Sequence, residues 1–75
     1  MYTYDEVIKE IAHLREEIIR AKQMNIDMTE IILLLDQARN LVKMGEYDKA
    51  MKYVRKTELQ INRELSNIVL KQTNG

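Results

Sequence analysis

Apolar residues recur every three or four positions along three successive segments of this sequence. That spacing places them on one side of an α-helix, because an α-helix has 3.6 residues per turn. The sequence has no proline to interrupt such helices. The pattern therefore predicts an all-α protein with helices over about residues 4–24, 28–44 and 47–71, followed by a polar tail over about residues 72–75.

The residues on these apolar stripes form the predicted hydrophobic core. In the first helix they are Tyr4, Val7, Ile11, Leu14, Ile18 and Ala21, with Ile8, Ala12 and Ile19 widening the stripe. In the second helix they are Ile31, Leu34, Leu35, Ala38, Leu41 and Val42. In the third helix they are Tyr47, Ala50, Val54, Thr57, Ile61, Leu65 and Ile68.

Three local signals mark where helices begin and end. Thr3 and Glu6 have the spacing of a capping box, in which each side chain accepts a hydrogen bond from the other residue's backbone N–H. Asp27 and Glu30 repeat that spacing and predict the start of the second helix. Gly45 predicts its end, because glycine adopts the left-handed conformation that terminates helices at little cost.

The connections between the predicted helices are short, so neighbouring helices should run antiparallel. We expect a single domain over residues 1–75, folded as a small up-down-up three-helix bundle. A long helical hairpin and a swapped dimer, with helices from two chains, use the same stripes and remain alternatives. A domain of this size buries only about 60% of its unfolded surface, and oligomerisation is one common source of additional stability.

Composition excludes several classes of function. The absence of cysteine excludes disulfides and thiolate metal sites, and a single histidine excludes sites built on several histidines within one chain. The longest apolar run, Ile31–Leu35, is far shorter than the about 20 residues of a membrane-spanning helix. No signal-peptide pattern opens the chain. We expect a cytoplasmic protein that uses no cofactor.

The residues with chemical potential do not form a recognisable catalytic site. Glu10 and His13 have the spacing of half a di-iron site, but both point away from the core stripe, and His13 is expected to pair with Glu17. No nucleophile elbow or glycine-rich phosphate loop is present. Thr57, a polar residue at a core position, is expected to bond to the Tyr53 carbonyl. The sequence thus predicts a protein that is not an enzyme and binds no metal.

The segment 34–53 resembles one tetratricopeptide repeat. The matching positions are Leu34, Ala38 and Leu41 on the first helix, and Gly45, Tyr47, Ala50 and Tyr53 at the turn and on the second helix. Departures from the family pattern are Thr57 in place of a late alanine, Glu46 as a poor cap, and the lack of a closing proline. The resemblance implies a closely packed helical hairpin and an adaptor role in protein–protein interaction.

The third helix should be too long for the rest of the bundle. At about 25 residues it exceeds the other two, so its last turns should extend beyond them. We expect this end to dock onto a second copy or another protein; in the alternative, the loop Met24–Met28 covers it. The predicted interface residues are Leu65, Ile68, Val69 and Leu70 at this end, with the outward-pointing Leu33 and Leu59 joining if packing gathers them.

Basic residues follow one outward line of the third helix. They are Lys49, Lys52, Lys56 and Arg63, and they form a candidate anion-binding stripe. A small nucleic-acid-associated regulator is therefore the second hypothesis. The zero net charge and the lack of an interleaved aromatic residue, with Tyr53 placed on the core side, favour a solvated face instead. In a third interpretation, the acidic first helix of one copy meets this stripe of another.

Overall fold

The computed structural model contains three α-helices: α1 (Tyr4–Gln23), α2 (Thr29–Lys43) and α3 (Tyr47–Thr73). It describes the backbone of residues 1–73 and the side chains of residues 1–69. The helices pack against one another, which confirms the predicted all-α three-helix bundle. α3 ends two residues later than expected, so Gln72 and Thr73 are helical, while Asn74 and Gly75 lie outside the described residues.

The capping box expected at the start of α1 is present. The Glu6 backbone N–H donates to Thr3 Oγ1 at 3.3 Å, and the Thr3 backbone N–H donates to Glu6 Oε1 at 3.2 Å. Two N–H groups that lack partners within the helix are thereby satisfied. Asp5 and Glu6 also place negative charge in the first turn, where the helix dipole favours it.

α1 ends in a motif that we did not predict. Asn25 adopts a left-handed conformation with φ of 62°. Its N–H donates to the Lys22 carbonyl at 2.9 Å, and the Ile26 N–H donates to the Ala21 carbonyl at 3.1 Å. These two bonds define a Schellman motif, for which asparagine is the usual second choice after glycine. Ile26 packs against the core beside this turn.

The start of α2 differs from the expected capping box. Asp27 Oδ1 accepts hydrogen bonds from both the backbone N–H and the hydroxyl of Thr29, at 3.0 and 2.7 Å. Met28 occupies the cap position, and its side chain makes no capping hydrogen bond. Met28 is instead buried in the core. A local turn centred on Asp27 and Thr29 thus replaces the predicted pairing of Asp27 with Glu30.

The predicted role of Gly45 at the end of α2 is confirmed. Its φ is 77°, and its N–H donates to the Val42 carbonyl at 2.9 Å. The Glu46 N–H donates to the Leu41 carbonyl, also at 2.9 Å, which completes a second Schellman motif. The chain then enters α3 after a single further residue, so α2 and α3 form a tight helical hairpin.

Residues that share surface depressions show how the helices are arranged. One depression is lined by Tyr4 and Ile8, near the start of α1, and by Tyr47, at the start of α3. Ile19, near the end of α1, lines another with Ile32, near the start of α2. These neighbours establish the up-down-up order.

The core follows most of the predicted stripes, with differences in each helix. Its buried residues are Val7, Ile11, Leu14, Ile18, Ala21, Met28, Ile31, Leu35, Ala38, Val42, Ala50, Met51, Val54, Thr57 and Ile61. Met28 and Met51 were not expected in this set, whereas Leu34, Leu41 and Tyr47 were expected and are half-buried. Tyr4 was expected on the stripe of α1, with Ile8, Ala12 and Ile19 widening it, and all four are exposed instead. Two neighbouring helices cover only part of so wide a stripe.

Candidate functional site

The apolar stripe of α3 continues beyond Ile61, the last buried residue among the described side chains. Ile61 is completely buried, whereas Leu65 is 37% exposed and Val69 is 60% exposed. Ile68, between them, is half-buried. The side chain of Leu70 lies outside the described residues. Leu65, Ile68 and Val69, which we call the α3 end surface, therefore continue the core stripe into solvent.

The surface around Leu65 and Val69 is formed by residues of α3. A shallow depression there is lined by Asn62, Leu65, Ser66 and Val69, and no described residue of α1 or α2 contributes to it. α3 has 27 residues, compared with 20 in α1 and 15 in α2. At 1.5 Å per residue, α3 is about 40 Å long and exceeds α2 by about 18 Å. The geometry agrees with the expected overhang.

The loop before α2 covers only part of this end. Met28 is buried, and Ile26 packs against the core. The start of α2 shares a depression with Gln60 and Glu64 of α3, one turn before the exposed side chains. Met24 remains exposed. The expected alternative, in which the loop closes over the whole end, therefore leaves Leu65 and Val69 uncovered.

The remaining predicted interface residues are exposed but lie apart. Leu33 is an exposed side chain of α2, and Leu59 is an exposed side chain of α3. Leu59 lies about 120° around α3 from Leu65, because each residue turns the helix by about 100°. Neither residue lines the depression at the α3 end. Single exposed leucines of this kind are ordinary on soluble proteins.

The basic stripe of α3 lies on the surface, as expected, but an aromatic residue borders it. Lys49, Lys52, Lys56 and Arg63 are all exposed. Lys56 Nζ lies 4.9 Å from the centroid of the Tyr53 ring, within the range of a cation–π interaction. Tyr53 is half-buried and lines a depression with Lys49, Lys52 and residues of α2. The placement of Tyr53 on the core side is confirmed, since Tyr53 packs against the core, but its ring also contacts the basic stripe at Lys56.

Some basic residues of α3 interact with other residues of the same chain. A hydrogen bond from the Arg55 guanidinium to the Tyr2 side chain raises the pKa of Arg55, and the carboxylates of Glu58 and Glu10 raise it further. Lys49 Nζ lies 3.9 Å from Glu46 Oε2. Exposed pairs of this kind contribute little stability.

The residues considered for chemistry have structural partners. His13 Nε2 lies 3.0 Å from Glu17 Oε1, which confirms the predicted pair. The Thr57 hydroxyl donates to the Tyr53 carbonyl at 2.8 Å, also as predicted. Within the described part of the chain, no group of three or more histidine, aspartate or glutamate residues is placed to hold a metal ion.

Comparison with known proteins adds no relative. No known protein family, curated protein or solved structure matches this chain. Among the described residues, no helix is both long enough and apolar enough to cross a membrane.

Proposed function

We propose that this protein is a non-enzymatic helical interaction module that self-associates through the α3 end surface. In this proposal, the last turns of α3 pack against the same turns of a second copy. A single observation carries the proposal: the apolar stripe that is completely buried at Ile61 continues into the half-buried Ile68 and the exposed Leu65 and Val69.

The chemistry of these turns supports an interface better than a solvated extension. A helix that projects into water is expected to be polar on all sides. Here Leu65, Ile68 and Val69 keep the core's spacing of three and four residues. A second copy of the same stripe offers a surface of matching length and apolar character. A two-fold symmetric dimer is also the simplest assembly in which each copy covers the apolar stripe of the other.

The small size of the surface indicates a weak association. Stable complexes bury about 800 Å² on each partner. Three partly exposed side chains on about one and a half helical turns provide less than that. Because association also costs translational and rotational entropy, we expect a reversible dimer with a dissociation constant on the order of 0.1–1 mM.

Sedimentation equilibrium of the parent chain and two variants tests this proposal. The parent should show a mass that rises with concentration towards that of a dimer. Ile68→Glu should remain monomeric, because dimerisation would bury two carboxylates. Leu59→Glu is the matched control, since Leu59 is an exposed leucine of the same helix on another side, and it should behave like the parent. An Ile68→Glu variant that dimerises as the parent does would contradict the proposal.

A second candidate function is nucleic-acid association through the basic stripe. The contact of Lys56 with the Tyr53 ring, beside Lys49 and Lys52, favours it, since single-strand binding surfaces combine cations with aromatic rings. Lys52→Glu with Lys56→Glu should abolish any mobility shift of single-stranded RNA or DNA. Lys9→Glu with Arg20→Glu, two exposed bases of α1, should leave it unchanged.

The resemblance to a tetratricopeptide repeat agrees with a role in protein–protein interaction. Ala38 and Ala50 have no solvent exposure, and Gly45 makes the tight turn that joins their helices. Small residues at these positions let two helices approach closely. We include a cytoplasmic location in the proposal, with which the cysteine-free composition is compatible.

A further inference from the structure

The exposed apolar residues of α1 form a second surface, distinct from the α3 end surface. Tyr4 is 51% exposed, Ile8 is 37% exposed and Ile19 is 49% exposed. Ala12 lies between them and is also exposed. Their spacings of four, four and seven residues place all four side chains on the same side of the helix. The apolar stripe of α1 is thus wider than α2 and α3 can cover.

Tyr4, Ile8 and Ile19 line two depressions between α1 and α2, which we call together the groove. One half of the groove is lined by Tyr4, Ile8 and residues around Val42, and the other half by Ile19 and Ile32 with their neighbours. Arg39 lines both halves, so they lie next to each other. From Ile8 to Ile19 the groove extends about 16 Å, which equals three turns of a helix.

The charge around the groove is strongly one-sided. Four basic residues line it, namely Arg15, Lys22, Arg39 and Lys43, whereas Asp36 is the acidic residue that lines it. Asp36 lies 3.9 Å from Arg39. The whole chain has no net charge, so this concentration of bases is local. An apolar floor with a basic rim complements an apolar surface with acidic edges.

Charge also argues against a second copy as the occupant. The apolar face of α1 carries its own bases, Arg15 and Lys22, on the side that borders the groove. A second α1 docked in the groove would bring these two bases towards Arg39 and Lys43. Like charges placed together in an interface are unfavourable.

We propose that the groove between α1 and α2 binds an amphipathic helix of another protein, with a leucine- or isoleucine-rich stripe flanked by aspartate and glutamate. The apolar stripe would cover Ile8, Ile19 and Ile32, and the acidic flanks would meet Arg39 and Lys43. Helix-in-groove binding of this kind anchors the ligand at positions spaced by three and four residues. This surface is separate from the α3 end surface, so either proposal can fail without the other.

Fluorescence anisotropy with two designed peptides tests the proposal. Both peptides have about 14 residues and the same leucine stripe; one has glutamate flanks and the other lysine flanks. The full chain should bind the glutamate peptide at least about tenfold more tightly. Equal affinities, or no binding of either peptide at about 1 mM protein, would overturn the proposal.

Three variants locate the binding site. Ile19→Glu should weaken binding of the glutamate peptide at least about tenfold, whereas Leu59→Glu should not change it. Arg39→Glu with Lys43→Glu changes only exposed residues and should reverse the preference between the two peptides. If Ile19→Glu instead lowers the mass of the protein alone in solution, a second copy occupies the groove and the proposal is wrong.

Discussion

The backbone N–H of Tyr2 donates a hydrogen bond to Asp48 Oδ1 at 2.9 Å, across a sequence separation of 46 residues. The bond joins the segment before α1 to the first turn of α3. The side chain of Tyr2 also interacts with the Arg55 guanidinium, two turns further along α3, and raises the pKa of Arg55. The two interactions link the N-terminal segment to the helix that carries the candidate interface.

Loss of the Asp48 carboxylate should loosen this attachment. Asp48→Ala removes the acceptor for Tyr2 and a negative charge from the first turn of α3, where the helix dipole favours it. We expect the free energy of unfolding to fall by about 0.5–1.5 kcal/mol in urea titrations. Asp36→Ala, at an exposed acid of α2, should cost less than about 0.5 kcal/mol. Equal losses for the two variants would show that the Tyr2 bond contributes nothing.

The left-handed conformation of Gly45, more than the space around it, should determine how a substitution there affects stability. A Cβ at this position would meet no atom within 4 Å, but the φ of 77° disfavours residues with a side chain. Gly45→Ala should therefore lower the stability by about 1–2 kcal/mol. Asn25→Gly, at a left-handed residue that already carries a side chain, should raise it by up to about 1 kcal/mol. Thermal melts of the two variants should shift in opposite directions.

The buried hydroxyl of Thr57 should contribute little net stability. Its hydrogen bond to the Tyr53 carbonyl supplements the backbone bond of the helix. Thr57→Val keeps the shape of the side chain, loses the hydrogen bond and gains an apolar group, so the two effects nearly offset. We expect a change within about 1 kcal/mol for Thr57→Val, and a larger loss for Thr57→Ala, which leaves a cavity. A reversed order would indicate that the hydroxyl has a role beyond packing.

The stability contributed by the Asp27 carboxylate, in the turn before α2, should depend on pH in the acidic range. The Thr29 hydroxyl, and then the Thr29 backbone N–H, donate to Asp27 and lower its pKa in the folded state. The corresponding stabilisation is complete above the unfolded value of about 3.9 and is lost as the pH falls through the lower folded pKa. Thr29→Val should raise the pKa of Asp27, measured by NMR titration of its carboxyl group, whereas Thr29→Ser should keep it low. An unchanged pKa in Thr29→Val would contradict this assignment.

The sequence was sufficient to predict the fold class and most helix ends because those features depend on local chemistry. The Thr3–Glu6 capping box and the left-handed Gly45 need only residues within a few positions of each other. Asn25 was missed because asparagine is common in many turns and is only the second choice at a helix end. Its position four residues before the first residue of α2 was the signal available.

The surfaces were harder to predict because they depend on how many neighbours each helix has. Tyr4, Ile8 and Ile19 have the spacing of core residues, and only the packing of three helices shows that they remain exposed. Tyr53 packs against the core, as expected, but the spacing of apolar residues did not predict that its ring also contacts Lys56. The exposure of the α3 end surface was easier to predict, because it follows from the greater length of α3.

An NMR dilution series tests self-association through the α3 end surface most directly. Amide shifts of the ¹⁵N-labelled chain would be followed from about 2 mM down to about 20 μM, a range that spans the expected dissociation constant. We expect the shifts that change with concentration to lie between Asn62 and Val69. Shifts that stay constant throughout, or that change mainly around Ile8 and Ile19, would contradict the proposal.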